Sequence, residues 1–298
     1  MNLMELSNGL ADVVEAAGRS VVRVEGRTRP VSGTIVSADG HVVAIHHTLE
    51  RDEDLAVGLP DGRTTRARVL GRDPATDLAL LKVEESGLVP APWRPLDGAR
   101  VGQFVLGLYR PGRTARAALG VLAALGDSWR TRSGGRIDRY LEASLTPPPG
   151  ISGGLLVDAG GGALALATSG LLRGVALGLP AETVTRVTAA LLAHGRVRRG
   201  YLGVGSQPVA LPESLRASLG QATGVLVVSV EADSPAAHAG LLLGDVIVAL
   251  LGKPVTEPLD LLPALDEERV GQPVALGVVR AGEPRELQVT VGERAGSA

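Results

Sequence analysis

Ser152 stands in the segment Pro149-Gly150-Ile151-Ser152-Gly153-Gly154, with glycine two residues before it and twice after it. A serine hydroxyl is a poor nucleophile at neutral pH and needs a neighbouring imidazole to take its proton. That imidazole needs a carboxylate to hold its tautomer and to stabilise the imidazolium that forms. His47 and Asp77 are the candidates for these two roles. Two backbone N–H groups must also point at the developing oxyanion, and glycines around the serine permit the tight turn that aims them. His46 beside His47 reads as a structural neighbour, and His41, just after Asp39-Gly40, reads as surface strand. Adjacent strand residues point to opposite faces, so the His46-His47 pair is not read as a metal site. No metal and no cofactor are expected.

The elements that must position these residues are short strands. Apolar residues make up 45% of the 298 positions and aromatics 2%, so the cores are packed from Val, Leu, Ala and Ile. Forty glycines and nineteen prolines mark tight turns. Strand-like runs at 20–25, 33–37, 41–45, 54–59, 64–70 and 78–83, with Asp-Gly turns at Asp39-Gly40 and Asp61-Gly62, predict a small barrel or sandwich. The proline-rich bridge 89–95 separates it from a second series running to residue 179. Helical spacing of Val184, Val187, Ala190 and Leu191, closed by Gly195, predicts a helix over 181–194. The N-terminal residues 1–19 read as an amphipathic helical arm, 196–200 as a linker, and the remainder as a third, mainly β unit. A net charge of −2 with scattered arginines excludes the footprint of a nucleic-acid binder. No run of about 18 apolar residues predicts a membrane span. Cysteine is absent, which excludes disulfides and thiolate chemistry. With Met1 as the natural start and no signal-like segment the chain reads as cytoplasmic; with a leader removed it reads as periplasmic or extracytoplasmic.

Taken alone, Gly150-x-Ser152-x-Gly154 fits the nucleophile elbow of an α/β-hydrolase, or merely a glycine turn. Chain order discriminates, because in α/β-hydrolases the acid and the histidine follow the serine. Here the histidines after it are His194, at a helix end, and His238, in the third unit. His47 and Asp77 precede it, in the order of chymotrypsin-type double barrels. With this order the sequence resembles the HtrA (Deg) serine proteases. Ser32 through Val43 resembles the strand leading to the family's catalytic histidine, which falls on His47. Asp61-Gly62-Arg63 and Asp73 through Val83 are similar to the segment whose acid falls on Asp77. Gly150-Ile151-Ser152-Gly153-Gly154 corresponds to the nucleophile motif, and His194 through Val204 to the junction into a PDZ domain.

The resemblance implies a mainly β fold, a chymotrypsin-like double β-barrel over 20–195 (barrels about 20–90 and 96–180, then the helix) followed by a PDZ domain over 201–292. It implies a serine endopeptidase, independent of ATP, in which His47 is general base, Asp77 orients it and Ser152 attacks. Gly150 and Ser152 N–H would form the oxyanion hole. Leu166, Ala167, Thr168 and Ser169 would line a primary pocket for small or aliphatic residues. In the third unit, Tyr201, Leu202, Gly203 and Val204 would hold a peptide C-terminal carboxylate, and a helix near 257–265 would wall the groove. Pro263 inside that helix predicts that it is kinked or short. The implied partners are unfolded or damaged proteins, peptide C-termini and a homo-trimer, although this chain has no aromatic residue before Trp93 from which to build the family's usual trimer contact. Departures are Ile151 where the family has Asn, Leu155 where it has Pro, and the stiff run Pro147-Pro148-Pro149. The alternative is a protease fold without catalysis, retained as a binding or scaffold module.

Overall fold

The β-branched, aromatic-poor runs form strands that are buried on both faces. In the strand His41–Ile45, Val42 and Ala44 enter one core while Val43 and Ile45 enter another. The alternation follows from the two-residue period of a strand, and it explains why near-continuous apolar sequence is tolerated. The structure, a computed structural model, describes residues 2–172 and 174–293. The chain divides into two units after Val197.

The first unit opens with α1 (Leu3–Ala17), capped by Asn2 and Glu5 in a reciprocal capping box. Six strands follow: β1 (Val21–Val24), β2 (Val31–Ile35), β3 (His41–Ile45), β4 (Leu55–Gly58), β5 (Thr64–Asp73) and β6 (Leu78–Val83). They close into an antiparallel barrel in the order β1-β2-β3-β6-β5-β4. A second series contains β7 (Phe104–Tyr109), β8 (Arg116–Gly126), the short hairpin β9 (Trp129–Arg130) and β10 (Arg136–Ile137), β11 (Tyr140–Ala143), β12 (Leu155–Asp158), β13 (Ala163–Thr168) and β14 (Ala176–Pro180). Apart from the hairpin, these strands close into a second barrel in the order β11-β14-β13-β12-β7-β8. The double barrel that the resemblance implied is the architecture observed.

A third core lies between the barrels. Val43, Ile45, Leu78 and Leu80 meet Leu166, Leu179 and Ile137 there, under Val184, Val187 and Leu191 of α2 (Ala181–His194). Gly195 ends α2 in the left-handed conformation, with its N–H on Leu191 C=O. This clasp matters for the site, because His47 and Asp77 come from one barrel and Ser152 from the other.

The second unit is mainly β. A two-stranded piece pairs β15 (Gly200–Tyr201) with β22 (Gly292–Glu293). The main sheet runs β16 (Val204–Ala210), β17 (Thr223–Val230), β18 (Val246–Leu250), β20 (Pro273–Arg280), β21 (Glu283–Thr290), with β19 (Lys253–Pro254) beside β18. Helices α3 (Glu213–Leu219) and α4 (Pro235–His238) complete it. Buried Asp245 takes two hydrogen bonds of 2.7 Å from the Arg280 guanidinium, which keeps the carboxylate charged despite burial. The helix expected near 257–265 is instead a 3-10 helix over Pro258–Leu265. Pro263 offers no N–H for an i→i−4 bond, and the segment takes the tighter turn.

Candidate active site

Strand register brings the first two candidates together. Ile45 at the end of β3 pairs with Leu78 at the start of β6, and beyond it His46 N–H donates to Asp77 C=O at 2.8 Å. His47 follows in a 3-10 turn over His46–Thr48, tied by Thr48 Oγ1 to Ile45 C=O at 2.7 Å. Asp77 sits at φ 64°, a left-handed conformation that Asp tolerates better than most residues. Its loop is braced by Asp73, which accepts from Thr76 Oγ1 at 2.7 Å.

The Asp77 carboxylate is buried and surrounded by donors. Oδ1 accepts the His47 backbone N–H at 3.0 Å, and Oδ2 accepts His47 Nδ1 at 2.8 Å and Thr168 Oγ1 at 3.0 Å. Because a carboxylate only accepts, Nδ1 carries the proton and Nε2 is left as the basic nitrogen. The hydrogen bond to Asp77 raises the His47 pKa, and burial opposes the rise without cancelling it. His46 titrates in the opposite sense. Burial lowers its pKa, with the adjacent Arg72 guanidinium adding to the effect, and its Nδ1 lies 3.1 Å from Arg72 Nη1.

The third candidate lies on the turn between β11 and β12. Ile151 N–H donates to Pro148 C=O at 3.1 Å, closing a turn with Pro149 at its second position and Gly150, at φ 87°, at its third. That combination suits a type II turn, where proline presets the second residue and glycine supplies positive φ at the third. The proline run that departs from the family pattern therefore stiffens a turn of ordinary geometry. Ile151, another departure, is buried in the second barrel's core with Leu145, Leu156 and Ala167. Gly153 N–H is bonded to Ala167 C=O and Gly154 N–H to Ile151 C=O. Among the described residues the amides of Gly150 and Ser152 donate to no protein acceptor.

Ser152 Oγ bonds Ser169 Oγ at 3.0 Å and makes no hydrogen bond to His47. The histidine–aspartate pair is thus formed, while the serine hydroxyl rests on a different neighbour. Such bonds are often long or absent before substrate arrives.

The four residues expected to line a primary pocket have separate positions. Leu166 is fully enclosed in the inter-barrel core, which removes it from any pocket wall; its strand direction turns it away from Ala167, which packs with Ile151. Thr168 holds Asp77, and Ser169 is exposed beside Ser152. Gly170, which sequence reasoning did not single out, follows directly. A β-carbon there would lie 2.5 Å from both Cε1 and Nδ1 of His47 and 2.8 Å from Asp77 Oδ2. The expected effect of Gly170→Ala is a displaced imidazole and a fall in kcat/KM of about 10²-fold. A thermal melt should move little, because the position is exposed.

In the second unit Leu202 is buried in the core, and its C=O and that of Gly203 accept from Ala236 N–H and Glu231 N–H, both at 2.9 Å. The N–H groups of Leu202 and Gly203 donate to nothing among the described residues. Tyr201 hydroxyl donates to Glu231. Val204 begins β16, an edge strand that contains Pro208. Among the described residues no cluster of His, Asp and Glu could hold a metal.

Residues 31–166 match the trypsin-like peptidase domain and residues 200–291 the PDZ domain. A probable periplasmic serine endoprotease DegP-like of Ectopseudomonas mendocina (strain ymp) is 33% identical over 267 residues, 88% of this chain and 56% of that protein. The chain spans about half the length of the curated relatives it matches. Among solved structures, the HtrA-type protease AlgW with a tripeptide superimposes with TM-score 0.78 at 31% identity, over 97% of this chain and 98% of that one. The serine endoprotease from Yersinia pestis does so with TM-score 0.76 at 27% identity, over 96% and 98%. In this chain no helix among the described residues is long and apolar enough to cross a membrane.

Proposed function

Because the chain belongs to the HtrA-type serine proteases, a trypsin-like peptidase domain followed by a PDZ domain, we propose that it is a serine endopeptidase acting on unfolded or damaged proteins. The observation that carries this reading is the buried Asp77 carboxylate bonded to His47 Nδ1 at 2.8 Å, which leaves Nε2 free to act as base.

In this reading Ser152 turns from Ser169 towards His47 by a staggered rotation about its Cα–Cβ bond. Its Oγ adds to the scissile carbonyl while His47 Nε2 takes the hydroxyl proton. The new oxyanion is received by the unoccupied N–H groups of Gly150 and Ser152. His47 then gives the proton to the leaving amine, the C–N bond breaks and an acyl-enzyme remains. A water attacks it with His47 again as base, and the acid product leaves with Ser152 restored. Asp77 stays ionised throughout and stabilises the imidazolium. Ser169, beside Ser152, and Gly170, beside His47, are exposed and uncharged, which supports the expected preference for small or aliphatic side chains.

The PDZ domain is read as a C-terminal peptide receptor. The loop from Tyr201 to Val204 offers the unengaged amides of Leu202 and Gly203 to a carboxylate, and β16 offers an edge for strand addition. Pro208 has no N–H to add to that ladder, so the docked strand is short. Assembly as a homo-trimer belongs to the same proposal.

The pH profile follows from the raised His47 pKa. The base works only when neutral, so kcat/KM should fall as pH drops through a midpoint above the ordinary histidine value of about 6.5. A rate profile from pH 5 to 9 checks it, and a midpoint at or below the ordinary value would count against the pairing.

In the second reading, a silent scaffold, Ser152 stays on Ser169 and never turns to His47. Labelling by a fluorophosphonate, with Ser152→Ala as control, separates the two. An endopeptidase takes a Ser152-dependent label and cleaves casein. Failure of both leaves the scaffold.

A further inference from the structure

Every carbonyl from Gly150 to Gly153 is engaged, and strand β2 of the other barrel holds three of the four. Ser32 Oγ donates to Gly150 C=O at 2.7 Å, Ser32 N–H to Ser152 C=O at 3.1 Å and Thr34 Oγ1 to Gly153 C=O at 2.9 Å. The fourth, Ile151 C=O, accepts Gly154 N–H at 2.7 Å. A carbonyl swung into the oxyanion site would repel the charge that forms there, so pinning these groups elsewhere leaves the site to its N–H donors. Two of these carbonyls face side-chain hydroxyls, Gly150 on Ser32 and Gly153 on Thr34, and of the two Gly150 is the residue that itself carries a proposed donor N–H.

Ser32 is itself held. It is fully buried, and Arg110 N–H donates to its Oγ at 2.8 Å. A hydroxyl that accepts from one side must send its own proton to the other, here to Gly150 C=O. Arg110 in turn is immobilised, and no carboxylate among the described residues pairs with it. Its guanidinium donates to Val21 C=O at 2.6 Å, to Gly18 C=O at 2.9 Å and to Arg113 C=O at 2.9 Å. Burying an unpaired guanidinium is costly, and burial lowers its pKa. Pro111, the next residue, packs so closely on Gly150 that a β-carbon there would lie 2.7 Å from Pro111 Cβ. The end of α1, strand β1, the β7–β8 loop and the nucleophile turn are thus joined through Arg110 and Ser32.

We propose that Ser32, locked by Arg110, is a positioning residue that sets the Gly150–Ile151 peptide and so keeps the oxyanion donors of Gly150 and Ser152 in place. This assignment rests on the reading of Ser152 as nucleophile. Its test uses the full chain. Ser32→Ala should lower kcat on casein by about 10²-fold while KM stays within about threefold, the pattern of a lost transition-state interaction. Affinity for a peptide boronate, which forms a tetrahedral adduct on serine, should fall by a similar factor. Ser32→Cys keeps the size of the side chain and replaces a strong donor by a weak one, and kcat should fall at least about tenfold. Circular dichroism at the assay temperature gives the folded fraction. Either variant keeping wild-type kcat within about threefold overturns the proposal, as does a loss that appears in KM or tracks the unfolded fraction. A wild type that takes no Ser152-dependent fluorophosphonate label overturns the nucleophile together with this assignment, whereas an active wild type with an active Ser32→Ala variant overturns this assignment alone.

Discussion

Ser152→Ala is expected to lower kcat for casein cleavage by about 10⁶-fold while leaving the fold in place. The change removes the atom that would form the acyl bond, so what remains is the contribution of binding and of the two unengaged amides, about 10³-fold over water. The stability cost is small. Among the described residues Ser152 Oγ has one hydrogen-bond partner, Ser169 Oγ, which lies on an exposed residue and finds water instead. A neutral hydrogen bond contributes about 1 kcal/mol, which moves the melting temperature by a few degrees. Non-additivity supplies a sharper check. If Ser152 and His47 act as one unit, the double variant Ser152→Ala/His47→Ala loses no more than Ser152→Ala alone. Losses that multiply would mean that the two residues work separately.

Asp77→Asn should cost about 10⁴-fold in kcat, again with the backbone undisturbed. Asparagine accepts the left-handed conformation at φ 64° as readily as aspartate does, so the turn carries no new strain. The loss comes from donor chemistry. Both carboxylate oxygens receive N–H or O–H groups, from the His47 amide, His47 Nδ1 and Thr168 Oγ1. An NH₂ group placed at either oxygen meets a donor. Its easiest escape is to donate to Nδ1, which moves the imidazole proton to Nε2 and removes the base. With the negative charge gone the chief cause of the raised His47 pKa disappears, and burial, which opposes it, remains. The acid limb of the residual activity should therefore shift to lower pH than in the wild type. Steady-state rates across pH measure both effects, and a kcat within about tenfold of wild type would contradict the orienting role.

Much of this was legible in the residues. Strand periodicity places β3 and β6 at the residues read from sequence, and the helical spacing with Gly195 places α2 over Ala181–His194. Periodicity and caps are local properties, and they survive in any tertiary setting that buries the apolar face. The double barrel was legible from the order of His47, Asp77 and Ser152 together with the resemblance. Leu166, expected on a pocket wall, is enclosed in the inter-barrel core, because a run of apolar residues buried on both sides does not say which residue meets which core. Pro263 predicts a kinked or short helix, and the 3-10 geometry the segment takes depends on how its neighbours pack.

The residue types of the site, their order along the chain and the strands that carry them are determined by the sequence, since each follows from local pattern. Whether Ser152 faces His47 or Ser169 was decided by tertiary structure alone, because the partners come from different barrels. So was the close approach of Gly170 to the imidazole, and so was the chain of bonds from Arg110 through Ser32 to Gly150, whose members lie as far apart in sequence as 118 positions. Contacts of that range are set by how two closed barrels pack, and no spacing along a strand encodes that arrangement.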